Sequence, residues 1–338
     1  MNTKLKLLAL SASILAGLAA TPAHAFVYGE SSLELSNLLI NITPASGVAA
    51  ITNFTFTNTN TAFLNGAGGA TQATCSGLPG APGAGTNNCN AAPPRLNPVA
   101  ANAPGGDAGA IRGNLDFAFK GPAGGLQFSN SASSIDISSL TGDAATATRQ
   151  ITESELQSGT SASASSLIQS ITGFTFTFTV AAPGSLSLSF SANPDQYTEI
   201  NELVNGLFSA QGNLSTSFTL QQQGGPQFAT WAPNGVVLAG DCIAVGGLTC
   251  TESNDTQNLN APIGTVANHT VQQLSHNGAV FTLFGINIGG LLTGTYSLTL
   301  ASNTSTQLSR TPVPEPGELL LIGTALTALG LSRRRRKQ

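Results

Sequence analysis

Apolar and polar residues alternate with a period of two along much of this chain. Residues 33–42 carry apolar side chains at near-alternate positions, and residues 51–56 place Phe54 and Phe56 on either side of Thr55. Such alternation is the mark of a strand with one buried face. Residues 115–119 and 135–140 read the same way. The clearest segment is 173–191. Phe174, Phe176, Phe178 and Val180 alternate with threonines, Ala181-Ala182-Pro183-Gly184 interrupts, and Leu186, Leu188 and Phe190 alternate with serines. Two such runs about a Pro-Gly turn predict a β-hairpin with one apolar and one hydroxyl-covered face. Further strands are expected at 213–221, 226–231, 279–286 and 294–301, and a short helix near 149–157. Residues 65–106 are mostly Gly, Ala, Pro, Thr and Asn, which predicts a loop insertion. About ten short strands separated by turn signals predict an all-β fold, an antiparallel β-sandwich of jelly-roll-like type, over residues 26–311.

The two ends follow other patterns. Residues 1–25 combine a basic start (Lys4, Lys6), an apolar run over 7–20 and Ala23-His24-Ala25. This is the layout of a signal peptide that signal peptidase removes before Phe26. The apolar run is short of the roughly 20 residues that span hydrocarbon. At the other end, Val313-Pro314-Glu315-Pro316 precedes an apolar stretch over 319–332, and Arg333, Arg334, Arg335, Arg336 and Lys337 follow at once. Cations in that position hold the end on the cytoplasmic side.

In this order, residues 312–338 resemble the PEP-CTERM sorting signal: a Pro-Glu-Pro motif, a short transmembrane helix and an Arg-rich tail. The resemblance implies processing near the motif by an exosortase, a membrane cysteine protease-transpeptidase of Gram-negative bacteria that make exopolysaccharide and form biofilm or floc. It also implies export through the inner membrane, a transient anchorage there, and delivery to the cell surface or extracellular matrix. Gly323, Thr324 and Thr327 interrupt the apolar stretch, which suits a transient signal better than a permanent anchor.

Only 8% of residues are charged and 41% are hydrophobic, against about 25% charged in an average domain. Between Phe26 and Pro316, 15 acids face five bases, a net charge of −10. That balance repels nucleic acid, which is set aside as a partner. The four cysteines form two local pairs, Cys75 with Cys89 and Cys242 with Cys250. In an exported chain, disulfides are expected, and the local pairing closes the shortest loops.

Chemistry is sparse. His269 and His276 sit in no catalytic motif, and a Gly-x-Ser-x-Gly elbow is missing from the sequence. No catalytic residue and no cofactor is expected, with calcium as the one exception. Asp195, Glu199 and Glu202, with Asn193, Asn201 and Asn205 nearby, offer several oxygens to that ion. The plainer reading is a solvated loop. Asp241, Glu252 and Asp255, around the second cysteine pair, are a second set. Trp231 is the candidate for stacking on a sugar, with core packing as its alternative. The expectation is therefore a non-enzymatic exported protein, a structural or adhesive component associated with exopolysaccharide. A carbohydrate-binding module is the alternative, and a glycan hydrolase, which needs two facing carboxylates, is third.

Overall fold

A computed structural model describes residues 25–312, apart from 44–50, 78–88, 92–93, 123–125, 138–145, 158–161, 204, 238–239 and 276–279. Residues 1–24 of the expected signal peptide lie outside the described residues, as do the expected sorting motif at 313–316, the apolar stretch and the basic run at 333–337. So does His276.

The strands are, in chain order, β1 (Phe26–Thr43), β2 (Ile51–Leu64), β3 (Ala67–Gly77), β4 (Cys89–Ala91), β5 (Pro94–Asn102) and β6 (Phe128–Ile137). Then come β7 (Thr146–Gln157), β8 (Ala162–Val180), β9 (Gly184–Asn201), β10 (Gly206–Gln222), β11 (Phe228–Trp231) and β12 (Cys242–Val245). The last are β13 (Thr249–Asp255), β14 (Pro262–Thr265), β15 (Thr270–Leu274), β16 (Thr282–Leu291) and β17 (Gly294–Pro312). Sheet A runs β13-β16-β9-β1-β7-β6-β5-β4, with β15 on β9. Sheet B runs β12-β11-β10-β17-β8-β2-β3, with β14 on β10. Pairing is antiparallel throughout the named strands. The two sheets pack face to face as a sandwich. Among the described residues no helix is long and apolar enough to cross a membrane.

Several expectations change here. The helix expected at 149–157 is part of β7, whose side chains are buried on both faces, so no period of two is left to read. The loop insertion at 65–106 holds β3 and β5, and Ala73, Cys75, Leu96 and Val99 enter the main core. Residues 115–119 form no strand. The segment 173–191 is not a hairpin. β8 pairs with β2 and β17, whereas β9 pairs with β1 and β16, so the turn between them crosses from one sheet to the other. The Phe run of β8 and the Leu run of β9 therefore meet across one core instead of lying side by side.

The strands are also long, up to 19 residues in β8 and β17. Inward positions along β17 explain why the alternation seemed to stop early. Tyr296, Leu298 and Leu300 are followed inward by Ser302, Thr304 and Thr306, then by Leu308 and Arg310, all buried. A belt of small polar side chains thus crosses the middle of the sandwich between two apolar clusters. In this belt Ser31 Oγ donates to the Asn213 carbonyl (3.0 Å), Ser131 Oγ to the Thr61 carbonyl (3.2 Å), and Ser133 Oγ to Asn60 Oδ1 (2.9 Å). Each of these bonds joins one sheet to the other. The sheets approach closely here, because a Cβ on Gly212 would stand 3.1 Å from the Glu30 carbonyl oxygen.

Candidate functional site

Trp231 is fully buried, stacked on Phe218 with ring centroids 5.5 Å apart and tilted on Phe190 at 5.9 Å. It presents no surface to a sugar. Tyr28 and Tyr296 are equally buried. The first carboxylate set does not converge either. Asp195 and Glu199 sit on the outer face of β9, beside Ser32 and Tyr28 of β1. Glu202 turns inward instead, where it accepts Arg310 Nε at 2.6 Å and Nη2 at 2.8 Å, both partners buried. An Arg bound in this forked way already neutralises Glu202. Asp195, Glu199 and Glu202 are therefore not gathered into one set of ligands. His269 is at the surface, its Nδ1 3.2 Å from Asn201 Oδ1.

What the sequence reading missed is an acid network on the outer face of sheet A. Register places Glu30 between Glu153 and Tyr197, and Tyr28 between Glu155 and Glu199. Glu30, Glu153 and Glu155 are fully buried, under a cover formed by the chain between β5 and β6. Glu153 is saturated with donors: Arg112 Nη2 (2.5 Å), Tyr28 OH (2.7 Å), and the backbone N–H groups of Lys120 (2.6 Å) and Gly121 (2.8 Å). Arg112 also donates to Asn130 Oδ1 and to the carbonyls of Asp116 and Ala118. The Tyr28 hydroxyl, with its single proton, is also within hydrogen-bond reach of Glu30.

Burial pushes the Glu30 carboxyl up to about 9, opposed by the Tyr28 hydrogen bond and reinforced by the charges of Asp195 and Glu153. Glu153 is raised as well, burial outweighing Arg112. Burial thus favours the neutral carboxyl most strongly at Glu30, while Arg112 and the backbone donors offset it at Glu153. Although the two carboxyls face each other, neither opens to solvent. The geometry fastens the cover to the sheet. No local signal marks this pair in the sequence, since the two residues lie far apart along the chain and meet only through strand register.

The third set lies at the ends of both sheets. Cys242 of β12 and Cys250 of β13 form a disulfide with Cα atoms 6.0 Å apart, which joins sheet B to sheet A. This pairing agrees with the local one expected. Cys75 is buried and disulfide-bonded, while the Cys89 side chain lies outside the described ones. Beside the bridge, carboxylate oxygens of Asp241, Glu252 and Asp255 lie within 4.8 Å of one another. A register shift between Glu252 and Asn254 bulges β13. Residues three apart on a regular strand point to opposite faces, but the bulge brings Glu252 and Asp255 to the same buried side. Asp255 accepts the backbone N–H groups of Asn234 (2.9 Å) and Gly235 (3.1 Å). Gly235 has φ +88°, and a Cβ there would meet the Asn258 nitrogen at 2.9 Å, so the turn that supplies these donors requires glycine. No family model, no curated protein and no solved structure matches this chain.

Proposed function

We propose that the chain is a non-enzymatic exported protein, sorted by exosortase to the cell surface or extracellular matrix, where it serves as a structural or adhesive component associated with exopolysaccharide. In this reading residues 1–25 are removed on export, and a short helix over 319–332 holds the chain in the inner membrane until cleavage near Pro316. The exported part is the sandwich, jelly-roll-like in plan. The order of motif, apolar stretch and basic tail supports the sorting step.

The observation that carries the matrix role is the distribution of charge between the two outer faces. The outer side of sheet A presents Glu34, ion-paired with Arg149, and Glu199, while Glu30, Glu153, Glu155 and Asp195 are buried on that side. The outward positions described on β2, β3, β8, β10 and β17 of sheet B bear no charged residue, only Thr, Ser, Asn, Gln and a few apolar side chains. Hydroxyls pair across these strands, Thr175 with Thr299 at 3.0 Å and Ser209 with Ser309 at 2.8 Å. A neutral surface dense in donors and acceptors suits hydrogen bonding to sugar hydroxyls, or to another such surface, without desolvating charge. With Trp231, Tyr28 and Tyr296 buried, the carbohydrate-module reading keeps only the half-buried Tyr197 of its aromatic candidates.

Intact mass and cell fractionation with and without active exosortase test the sorting step. The expected mature chain begins at Phe26, ends near Pro316 and leaves the inner membrane only when exosortase works. A chain that keeps Gln338 and stays in the inner membrane overturns it. For the matrix role, Thr299→Glu with Ser217→Glu is expected to abolish co-sedimentation with the cell's exopolysaccharide, while an added charge on sheet A at Ser36 leaves it unchanged.

A further inference from the structure

We propose that Asp241, Glu252 and Asp255 bind a calcium ion that ties the ends of the two sheets together beside the Cys242–Cys250 disulfide. Asp241 immediately precedes β12, the last strand of sheet B, and the other two acids belong to β13, the last strand of sheet A. An ion held among them bridges the sheets as the disulfide does.

Proximity of acids alone does not make a site. The second observation is at Asp241, both of whose carboxylate oxygens are sealed from solvent with no hydrogen-bond partner. One of them lies within 4.8 Å of a carboxylate oxygen of both Glu252 and Asp255. A carboxylate removed from water and facing like charge is costly unless a cation or a proton compensates it. The donor set is all oxygen, with neither thiolate nor imidazole, which selects a hard cation over zinc or copper. The three ligands come from the residue before β12 and from either side of the β13 bulge, an irregular arrangement that calcium accepts and that the strict octahedron of magnesium does not. The backbone donors on Asp255 hold its carboxylate in place for the ion.

A shared proton is the competing compensation. Burial, followed by the charge of Asp241, raises the Asp255 carboxyl above its ordinary range, against the backbone donors that lower it. The experiment must therefore separate calcium from a proton, and the chain carries its own probe. Trp231 is the single tryptophan and the cross-strand partner of Cys242, next to Asp241.

Terbium added to the mature, disulfide-bonded protein is expected to luminesce on excitation of Trp231. Calcium should displace it, with a dissociation constant of about 10⁻⁴ to 10⁻³ M, the range of extracellular modules, and an equal concentration of magnesium should not. Calcium should raise Tm relative to chelator. Asp241→Asn should lose the luminescence and the calcium increment, and should melt above wild type in chelator because a buried like charge has gone. Asp255→Asn should weaken binding at least tenfold. The proposal is overturned if the wild type shows neither sensitised emission nor a calcium-dependent Tm, or if both responses survive unchanged in the two variants. A wild type that ignores calcium but gains stability on acidification, with the gain lost in Asp241→Asn, assigns a shared proton and overturns it too.

Discussion

Strand β17 passes through two different interiors. Around Tyr296, Leu298 and Leu300 the sheets are held apart by large rings: Phe54 on Phe56 (4.8 Å between centroids), Phe190 on Phe218 (5.0 Å) and Phe190 on Phe284 (5.0 Å). From Ser302 to Thr306 the inward side chains are small and polar, Gly29 and Gly212 face the opposite sheet, and hydroxyls bond across the gap. One end is cohesive through buried apolar area, the other through fixed hydrogen-bond geometry and close backbone approach. Area burial is tolerant of small shifts, whereas a hydroxyl belt works only at one spacing. A buried ion pair also lies at the polar end. Glu202 and Arg310 bridge the sheets there, next to Phe208, whose ring centroid is 5.9 Å from the guanidinium carbon.

The largest effect is expected from Trp231→Ala, which empties the aromatic end and should cost about 4 kcal/mol in denaturant unfolding. A loss below about 1 kcal/mol would mean that this end is not the main source of cohesion. Next is Arg310→Met, which strands an ionised Glu202 in the interior and should cost about 3 kcal/mol. Adding Glu202→Leu should recover most of that, since an apolar pair of similar volume desolvates no charge. Gly212→Val should cost about 2 kcal/mol by pushing Glu30 and the sheet that carries it away. The same change at Ser215, on an exposed position of the same strand, should be nearly neutral, and equal costs at the two sites would remove the contrast in sheet spacing.

Glu30 predicts a pH dependence as well. Its carboxyl is raised from 4.5 to about 9, so the folded state holds a proton that the unfolded chain releases. The resulting stability is complete below the unfolded value and is lost as pH rises toward the folded one. Tm should therefore fall steadily between about pH 5 and about pH 9. The groups facing Glu30 are Tyr28, Arg112, Glu153, Asp195 and Tyr197, and Glu30→Gln, which mimics the protonated acid, should flatten the slope. A slope unchanged in that variant would move the effect to Glu153. The smallest change is Ser154→Ala, which removes the Ser154–Thr306 and Ser154–Ser129 hydrogen bonds. It should cost about 1 kcal/mol.

Period-two alternation marked the aromatic end strand by strand, because there the inward residues are apolar and the outward ones polar. It failed where β1, β7 and β9 enter the polar end, since inward Ser31, Ser154 and Thr198 look like surface positions, and outward Tyr28 and Glu153 are buried by the cover. It also could not tell a hairpin from a turn between sheets, because β8 and β9 have the same pattern in either arrangement. Among the candidate ligands, Asp241, Glu252 and Asp255 were visible only as acids near two cysteines. The bulge that aligns two of them has no period and no motif.

Local information in the sequence determined that the chain is built of strands, which turns separate them, and that Cys242 pairs with Cys250 eight residues on. Each of these follows from neighbours along the chain, where propensity, alternation and short loop closure act. Tertiary structure alone decided which strands share a sheet, how far apart the sheets stand, and which acids are buried together. Those outcomes depend on strand register over separations such as the 125 residues between Tyr28 and Glu153. A shift of one residue in register would send every one of these side chains to the other face.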